Sequence, residues 1–124
     1  EQWQVRQFGS TNAANAWLTA DPDNDSAPNF LEFLTGTNPQ QSGDGFRLGF
    51  HETNALSRIS FLKNAGVGYE VQWTTNVADS ASWQVLNVPA NSPDILQTTG
   101  TNSIVIPAAT NQTPYFFRAR VYEP

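Results

Sequence analysis

Residues 21–32 (DPDNDSAPNFLE) constrain what this chain can fold into more than any other segment. Aspartates occupy the first, third and fifth positions, asparagine the ninth and glutamate the twelfth. Carboxylates this close repel one another unless a hard cation lies between them, and Ca²⁺ takes oxygen ligands in a flexible geometry. The spacing matches that of an EF-hand calcium loop and predicts a Ca²⁺ site. The predicted ligands are the side chains of Asp21, Asp23 and Asp25, the carbonyl of Ala27, Asn29 directly or through a water, and both carboxylate oxygens of Glu32.

The sixth position of the segment departs from the usual calcium loop. Glycine normally stands there because the turn needs a positive φ, and this chain has Ser26 instead. A left-handed serine costs about 1–2 kcal/mol. The alternative interpretation is an Asp-rich turn without metal, since Asp, Asn, Pro and Ser all favour turns.

Apolar side chains on both sides of the loop predict two short helices. Ser10 or Thr11 can cap a helix that runs to about Ala20, and a second helix begins with the apolar residues after Asn29 and ends at Gly36. Neither helix is long enough to be stable alone. We therefore expect an EF-hand-like helical element at 1–39 and a linker at 40–45, followed by a region at 46–124 packed with that element as one unit.

After the linker, the hydrophobic pattern changes to an alternation with a period of two. Tyr69, Val71 and Trp73 alternate with polar residues, and similar short segments recur, including one at 95–98. Polar turns separate these segments. About seven short strands predict a mainly β fold, an antiparallel β-sandwich.

Charge and composition exclude several classes of function. Residues 1–45 hold six acidic residues and one basic residue, a net charge of −5, whereas residues 46–124 hold five of each. No basic stripe exists to neutralise phosphates, so nucleic acid is not an expected partner. No apolar run reaches the roughly 18 residues of a membrane helix, so membrane insertion is not expected either. Because the chain has no cysteine, it has no thiolate to act as a nucleophile or metal ligand.

An enzyme is not expected from the remaining chemical groups. The single histidine, His51, stands at the end of a predicted strand. A lone strand-end histidine is more often a surface residue than a general base. The carboxylates outside the loop are scattered, with no spacing typical of a glycosidase pair.

Arginine and aromatic side chains on the predicted strands form a candidate surface for an acidic or sulfated polysaccharide. Arg118, Arg120 and Tyr122 alternate on one face of the last strand, whereas we interpret Trp83 as a packing residue. The alternative is that the arginines are solvated or pair with acidic neighbours such as Glu70 and Glu123. The candidate ligand-binding residues are Arg118, Arg120, Tyr122, Arg58 and Trp73.

The order of these motifs resembles a known family. Trp3 and Phe8-Gly9 are followed by DPDND at 21–25 and NFLEFLTGTNP at 29–39. This order is similar to the pattern W…FG…DPDGDG.NLLEY..GTDP at the C-terminal ends of large secreted proteins of Verrucomicrobia and Planctomycetes-type bacteria. The loop resembles single dockerin and thrombospondin type 3 calcium repeats. The strands YEVQWTTN and FFRARV resemble those of the fibronectin-III-like sandwich that follows the motif in those proteins.

The resemblance implies a fibronectin III or immunoglobulin-like sandwich preceded by the calcium element. It also implies a secreted or cell-surface appendage without catalytic activity, attached to an upstream catalytic or surface domain of the same polypeptide. We expect the chain to be a piece of such a protein. The role we expect is polysaccharide binding, and the alternative is a purely structural, surface-anchoring or protein-interaction role without glycan affinity.

Overall fold

A computed structural model of the chain describes residues 1–53, 56–91, 98–106 and 115–124. These residues form two compact units, Glu1–Phe46 and Arg47–Pro124. The boundary lies close to the end of the linker predicted at 40–45. The described residues are mainly β, with six antiparallel strands in two sheets and two short α-helices.

The N-terminal unit contains both α-helices, and glycine ends each of them. Helix α1 spans Gln2–Phe8, and helix α2 spans Asn29–Thr35. Gly9 and Gly36 follow them, each with a φ of 75°. Glycine adopts this left-handed conformation without steric cost, which lets its N–H donate back into the last turn. The second helix therefore ends where the sequence predicts.

The prediction of a helix between Ser10 and Ala20 is wrong. The structure has only a single 3-10 turn there, Ala14–Ala16. The amide nitrogen of Asn29 donates to the carbonyls of Asn15 at 2.6 Å and Trp17 at 2.7 Å. An α-helix would use those carbonyls for N–H groups four residues later. A distant side chain thus replaces local helix formation, and the acidic loop is entered from a non-helical segment.

Aromatic side chains of the N-terminal unit join its two helices. The ring of Trp3 lies 5.9 Å from that of Phe8 and 5.8 Å from that of Phe33, both in edge-to-face geometry. Leu34 of α2 is buried. Edge-to-face pairs of this kind add to the stabilisation from apolar burial. The packing holds α2, whose first turn carries two of the predicted metal ligands.

The C-terminal unit contains two antiparallel sheets of three strands each. The first sheet has the order β1-β2-β5, with β1 at Gly49–Thr53, β2 at Leu56–Lys63 and β5 at Gly100–Ile106. The second has the order β4-β3-β6, with β3 at Gly68–Thr74, β4 at Gln84–Val85 and β6 at Phe116–Tyr122. The segment predicted as a strand at 95–98 lies, except for its last residue, outside the described residues.

The buried faces of the two sheets carry the core of this unit. Ile59 and Phe61 alternate on β2 with less buried residues, and Tyr69 and Val71 alternate on β3 with the half-buried Glu70 and Gln72. The rings of Phe61 and Tyr69 lie 5.6 Å apart, so the two sheets are in contact through these faces. The opposite side of β3 and β6 therefore faces away from the core.

Candidate metal site

The three aspartates of the loop converge in the structure. Asp21, Asp23 and Asp25 each offer a carboxylate oxygen, and these oxygens all lie within 4.8 Å of one another. All three side chains are half-buried. Such a cluster could hold a metal ion, as the sequence spacing indicates.

Backbone N–H groups of the same loop hold the carboxylates in place. The two oxygens of Asp21 accept hydrogen bonds from the N–H groups of Asp25 at 3.3 Å and Ser26 at 3.0 Å. One oxygen of Asp23 accepts from Asp25 at 3.2 Å, and one oxygen of Asp25 accepts from Ala27 at 2.9 Å. These bonds orient the side chains and offset part of their mutual repulsion. The other oxygen of Asp23 is buried and has no hydrogen bond.

The loop backbone has the left-handed conformation that the sixth position requires. Ser26 has a φ of 76°, and Asn24 has a φ of 59°. For serine this conformation is strained by about 1–2 kcal/mol. Ser26 thus adopts the backbone conformation that glycine usually supplies at the sixth position of a calcium loop.

Glu32 is a buried carboxylate in an unfavourable environment. It lies in the first turn of α2 and is only 1% exposed, yet neither carboxylate oxygen has a hydrogen bond of normal geometry. Burial raises the pKa of Glu32 to about 7, and repulsion from Asp23, Asp25 and Asp21 adds to the rise, with a small opposing effect of the Thr37 hydroxyl. A buried carboxylate of this kind is costly unless a cation compensates it.

Asn29 joins the site to the segment that precedes the loop. Its side-chain nitrogen faces the two carbonyls of Asn15 and Trp17, so its side-chain oxygen points away from them and is buried without a partner. Its backbone N–H donates to the carbonyl of Ala20 at 2.8 Å. These contacts hold together the chain before the loop and the helix after it.

The donor set of the site consists only of oxygens. Among the described residues, four buried side-chain oxygens lack hydrogen bonds: Asp23 Oδ2, Asn29 Oδ1, Glu32 Oε1 and Glu32 Oε2. All four belong to predicted ligands. Hard cations bind such oxygens, whereas softer transition metals favour nitrogen and sulfur ligands. The unsatisfied atoms therefore fit a hard cation. Ala27, whose carbonyl is a predicted ligand, donates its backbone N–H to a carboxylate oxygen of Asp25.

The structure brings together three of the five predicted polysaccharide-binding residues. Arg118, Arg120 and Tyr122 lie on the face of β6 that is turned away from the core. Trp73 lies on the opposite face of its sheet, with its ring 5.3 Å from that of Tyr115. Arg58 is exposed on β2, in the other sheet.

Arg118 contacts Trp83, which we interpreted from the sequence as a packing residue. The guanidinium of Arg118 lies 4.2 Å from the ring centre of the half-buried Trp83. Trp83 has the same parity as Val85, which is opposite Gln72 and half-exposed. The alternation along this segment therefore indicates that Trp83 lies on the outward face. The sequence alone could not reveal this, because the face depends on how β3 pairs with β4.

Comparisons with protein-family models, with curated proteins and with solved structures found no match. In the described part of the chain, no helix has the length and apolar character needed to cross a membrane.

Proposed function

We propose that residues 21–32 bind Ca²⁺ and that the chain is a non-catalytic calcium-binding module. The observation that carries this proposal is the Glu32 carboxylate, which is buried beside three aspartates with neither oxygen hydrogen-bonded. A bound cation would supply the missing partner and neutralise the repulsion between these groups.

The number and type of ligands favour Ca²⁺ over Mg²⁺. Three aspartates, one carbonyl, one asparagine and a bidentate glutamate would supply about seven oxygens, which is within the range that Ca²⁺ takes. Mg²⁺ demands six ligands in a near-octahedral arrangement and usually keeps several waters. A loop that supplies nearly all the ligands itself is therefore better matched to Ca²⁺.

The role we propose for Ca²⁺ is structural. The ligands come from both ends of the loop, and Asn29 also binds the carbonyls of residues 15 and 17. An ion held by Asp21 and Glu32 would tie the segment before the loop to helix α2. Because the ion binds only the folded state, it would stabilise that state by about 3–4 kcal/mol at a hundred- to thousandfold excess over Kd.

We further propose that the module belongs to a secreted or cell-surface bacterial protein, with its two sheets packed as a fibronectin-III-like sandwich. Contact between the faces of the sheets supports the sandwich. A single calcium loop suits an environment rich in Ca²⁺, where extracellular modules bind with modest affinity. His51 supports a non-catalytic role, since it is exposed on β1 opposite Arg58. For the role of the module as a whole, the alternative to glycan binding is a purely structural, surface-anchoring or protein-interaction role without glycan affinity.

Calorimetric titration of the chelator-treated chain with Ca²⁺ and with Mg²⁺ tests the metal proposal. We expect one Ca²⁺ per chain and much weaker binding of Mg²⁺. The double substitution Asp23→Ala and Asp25→Ala should abolish binding, because it removes two ligands that face the others. Glu52→Gln is the matched control, since it removes an exposed carboxylate of β1.

Saturable binding that survives the double substitution would contradict the site. A wild-type chain that takes up no Ca²⁺ would leave the loop as an Asp-rich turn.

A further inference from the structure

The outward face of the sheet β4-β3-β6 carries two arginines in a fixed arrangement. Arg118 and Arg120 are two residues apart on β6, so their Cα atoms are separated by about 7 Å and their side chains leave the same face. Both side chains are exposed. An open depression of about 500 Å³ lies on this face. Its lining residues are Gln72, Arg118, Ala119 and Arg120.

Arg118 is held by a ring and an amide. Its guanidinium lies 4.2 Å from the ring centre of Trp83, and its Nε donates to the side-chain oxygen of Gln72 at 2.8 Å. Gln72 is itself held, because its nitrogen donates to Glu70 at 2.7 Å. These contacts occupy one flat face of the Arg118 guanidinium and its Nε–H group. The two terminal nitrogens remain as a pair of parallel donors.

Arg120 is held in a related way by Tyr122. Its guanidinium lies 5.1 Å from the centre of the tyrosine ring. That ring lies directly against Gly68, where an added Cβ atom would overlap the ring carbons. Only glycine leaves room for the ring at this position, so the tyrosine lies flat on the neighbouring strand. The fixed ring in turn supports the guanidinium.

Acidic neighbours do not account for the arrangement. In the described residues, the contacts that hold the two guanidiniums come from rings and an amide oxygen. Glu70 is opposite Arg120 in the register, and one of its oxygens accepts from Gln72. The pairing with Glu70 and Glu123 considered from the sequence is thus not what holds the arginines.

We propose that this face binds a carboxylated polysaccharide, whose successive uronate groups contact Arg118 and Arg120. A guanidinium donates two parallel hydrogen bonds to a carboxylate in one plane, and the contacts of Arg118 and Arg120 favour one orientation of each guanidinium before the ligand arrives. The guanidiniums lie over the rings of Trp83 and Tyr122, so these two rings are not bare aromatic anchors of the kind that protein interfaces use. A repeating polyanion instead gains affinity from many similar weak contacts.

Affinity electrophoresis of the full chain through gels that contain polygalacturonate tests this inference. The gels contain chelator, because Ca²⁺ by itself bridges uronate chains. Removing Ca²⁺ does not remove any part of the proposed binding face, since that face contains no residue of the calcium loop at 21–32. The same backbone in fully methyl-esterified form is the neutral control, and dextran sulfate is the sulfated one. A negative result in these gels therefore leaves the calcium proposal untouched.

We expect retardation by polygalacturonate and none by its methyl ester. Replacing both arginines, Arg118→Gln with Arg120→Gln, should weaken binding by about tenfold or more, because two bidentate contacts are lost. Arg6→Gln removes one positive charge from an exposed position of helix α1 in the N-terminal unit and should leave binding within about twofold of wild type. Arg118→Lys keeps the charge and should still weaken binding measurably, since a lysine lacks the planar pair of donors.

Several results would overturn the proposal. No retardation by polygalacturonate would do so, as would equal retardation of the wild type and the double variant. An equal loss in Arg6→Gln would show that binding depends on net charge alone. Stronger arginine-dependent retardation by dextran sulfate would reject a carboxylated ligand. Thermal melting tests whether each variant is folded. If the double variant is unfolded, the retardation of Arg118→Lys by polygalacturonate is the deciding measurement.

Discussion

Glu32→Gln separates the cost of the buried carboxylate from its use as a metal ligand. Glutamine has nearly the same volume and shape, so the packing around this fully buried side chain is kept. The substitution removes the negative charge and one of the two carboxylate oxygens. We therefore expect opposite effects on stability with and without Ca²⁺.

The size of the effect without metal follows from the pKa. Burial and the three aspartates raise the pKa of Glu32 from 4.5 to about 7. One pKa unit corresponds to about 1.4 kcal/mol, so well above pH 7 the ionised group costs the fold about 3 kcal/mol. Glutamine avoids this cost but leaves amide atoms unsatisfied, which costs about 1–3 kcal/mol. In chelator, the variant should therefore be as stable as the wild type or slightly more stable.

In excess Ca²⁺ the order reverses. The wild type gains about 3–4 kcal/mol at a hundred- to thousandfold excess over Kd, and the variant loses most of this gain. For a small domain, 1 kcal/mol shifts the melting temperature by about 4–8 °C. We expect Ca²⁺ to raise the wild-type melting temperature by about 10 °C or more and that of the variant by only a few degrees.

Scanning calorimetry of both proteins at pH 8, in chelator and in Ca²⁺, measures this difference. Glu52→Gln should follow the wild type under both conditions. The reasoning is refuted if Ca²⁺ raises the melting temperature of Glu32→Gln as much as that of the wild type. A variant that is much less stable than the wild type in chelator would also refute it, because the carboxylate would then contribute a contact that the structure does not contain.

Two further predictions concern the same loop. In chelator, folded Glu32 holds its proton up to about pH 7 whereas the unfolded chain loses it near pH 4.5, so the folded state binds more protons in that window. The free energy of unfolding should then fall as the pH rises from about 5 to 7, and denaturant titrations at several pH values that show a rise would contradict this. Ser26→Gly should raise the stability by about 1 kcal/mol in chelator and in Ca²⁺ alike, because Ser26 is left-handed at a φ of 76°. A loss of stability on denaturant unfolding would show that the serine is not strained.

The ligand spacing of the loop could be predicted from sequence because it is a local property. Asp21, Asp23 and Asp25 are so close in the chain that any tight turn brings their carboxylates together. The same holds for Ser26, whose left-handed conformation follows from its position in that turn. The two glycines after the helices are equally local, since they cap the last turn.

The segment between Ser10 and Ala20 shows where local reasoning ends. Its residues favour a helix at the right spacing, but Asn29 takes the carbonyls of Asn15 and Trp17. No pattern within the segment reveals a donor that lies more than ten residues away. Tertiary hydrogen bonding overrides local propensity in such a segment.

By itself, the sequence determined which groups could bind a cation and which strand residues alternate, because both depend on near neighbours along the chain. Only the tertiary structure decided that Glu32 is buried without a hydrogen bond, since this depends on the packing of α2. It also decided that Trp83 and Gln72, rather than acidic residues, hold Arg118. Those partners come from other strands, and their positions depend on register, which a single strand does not encode.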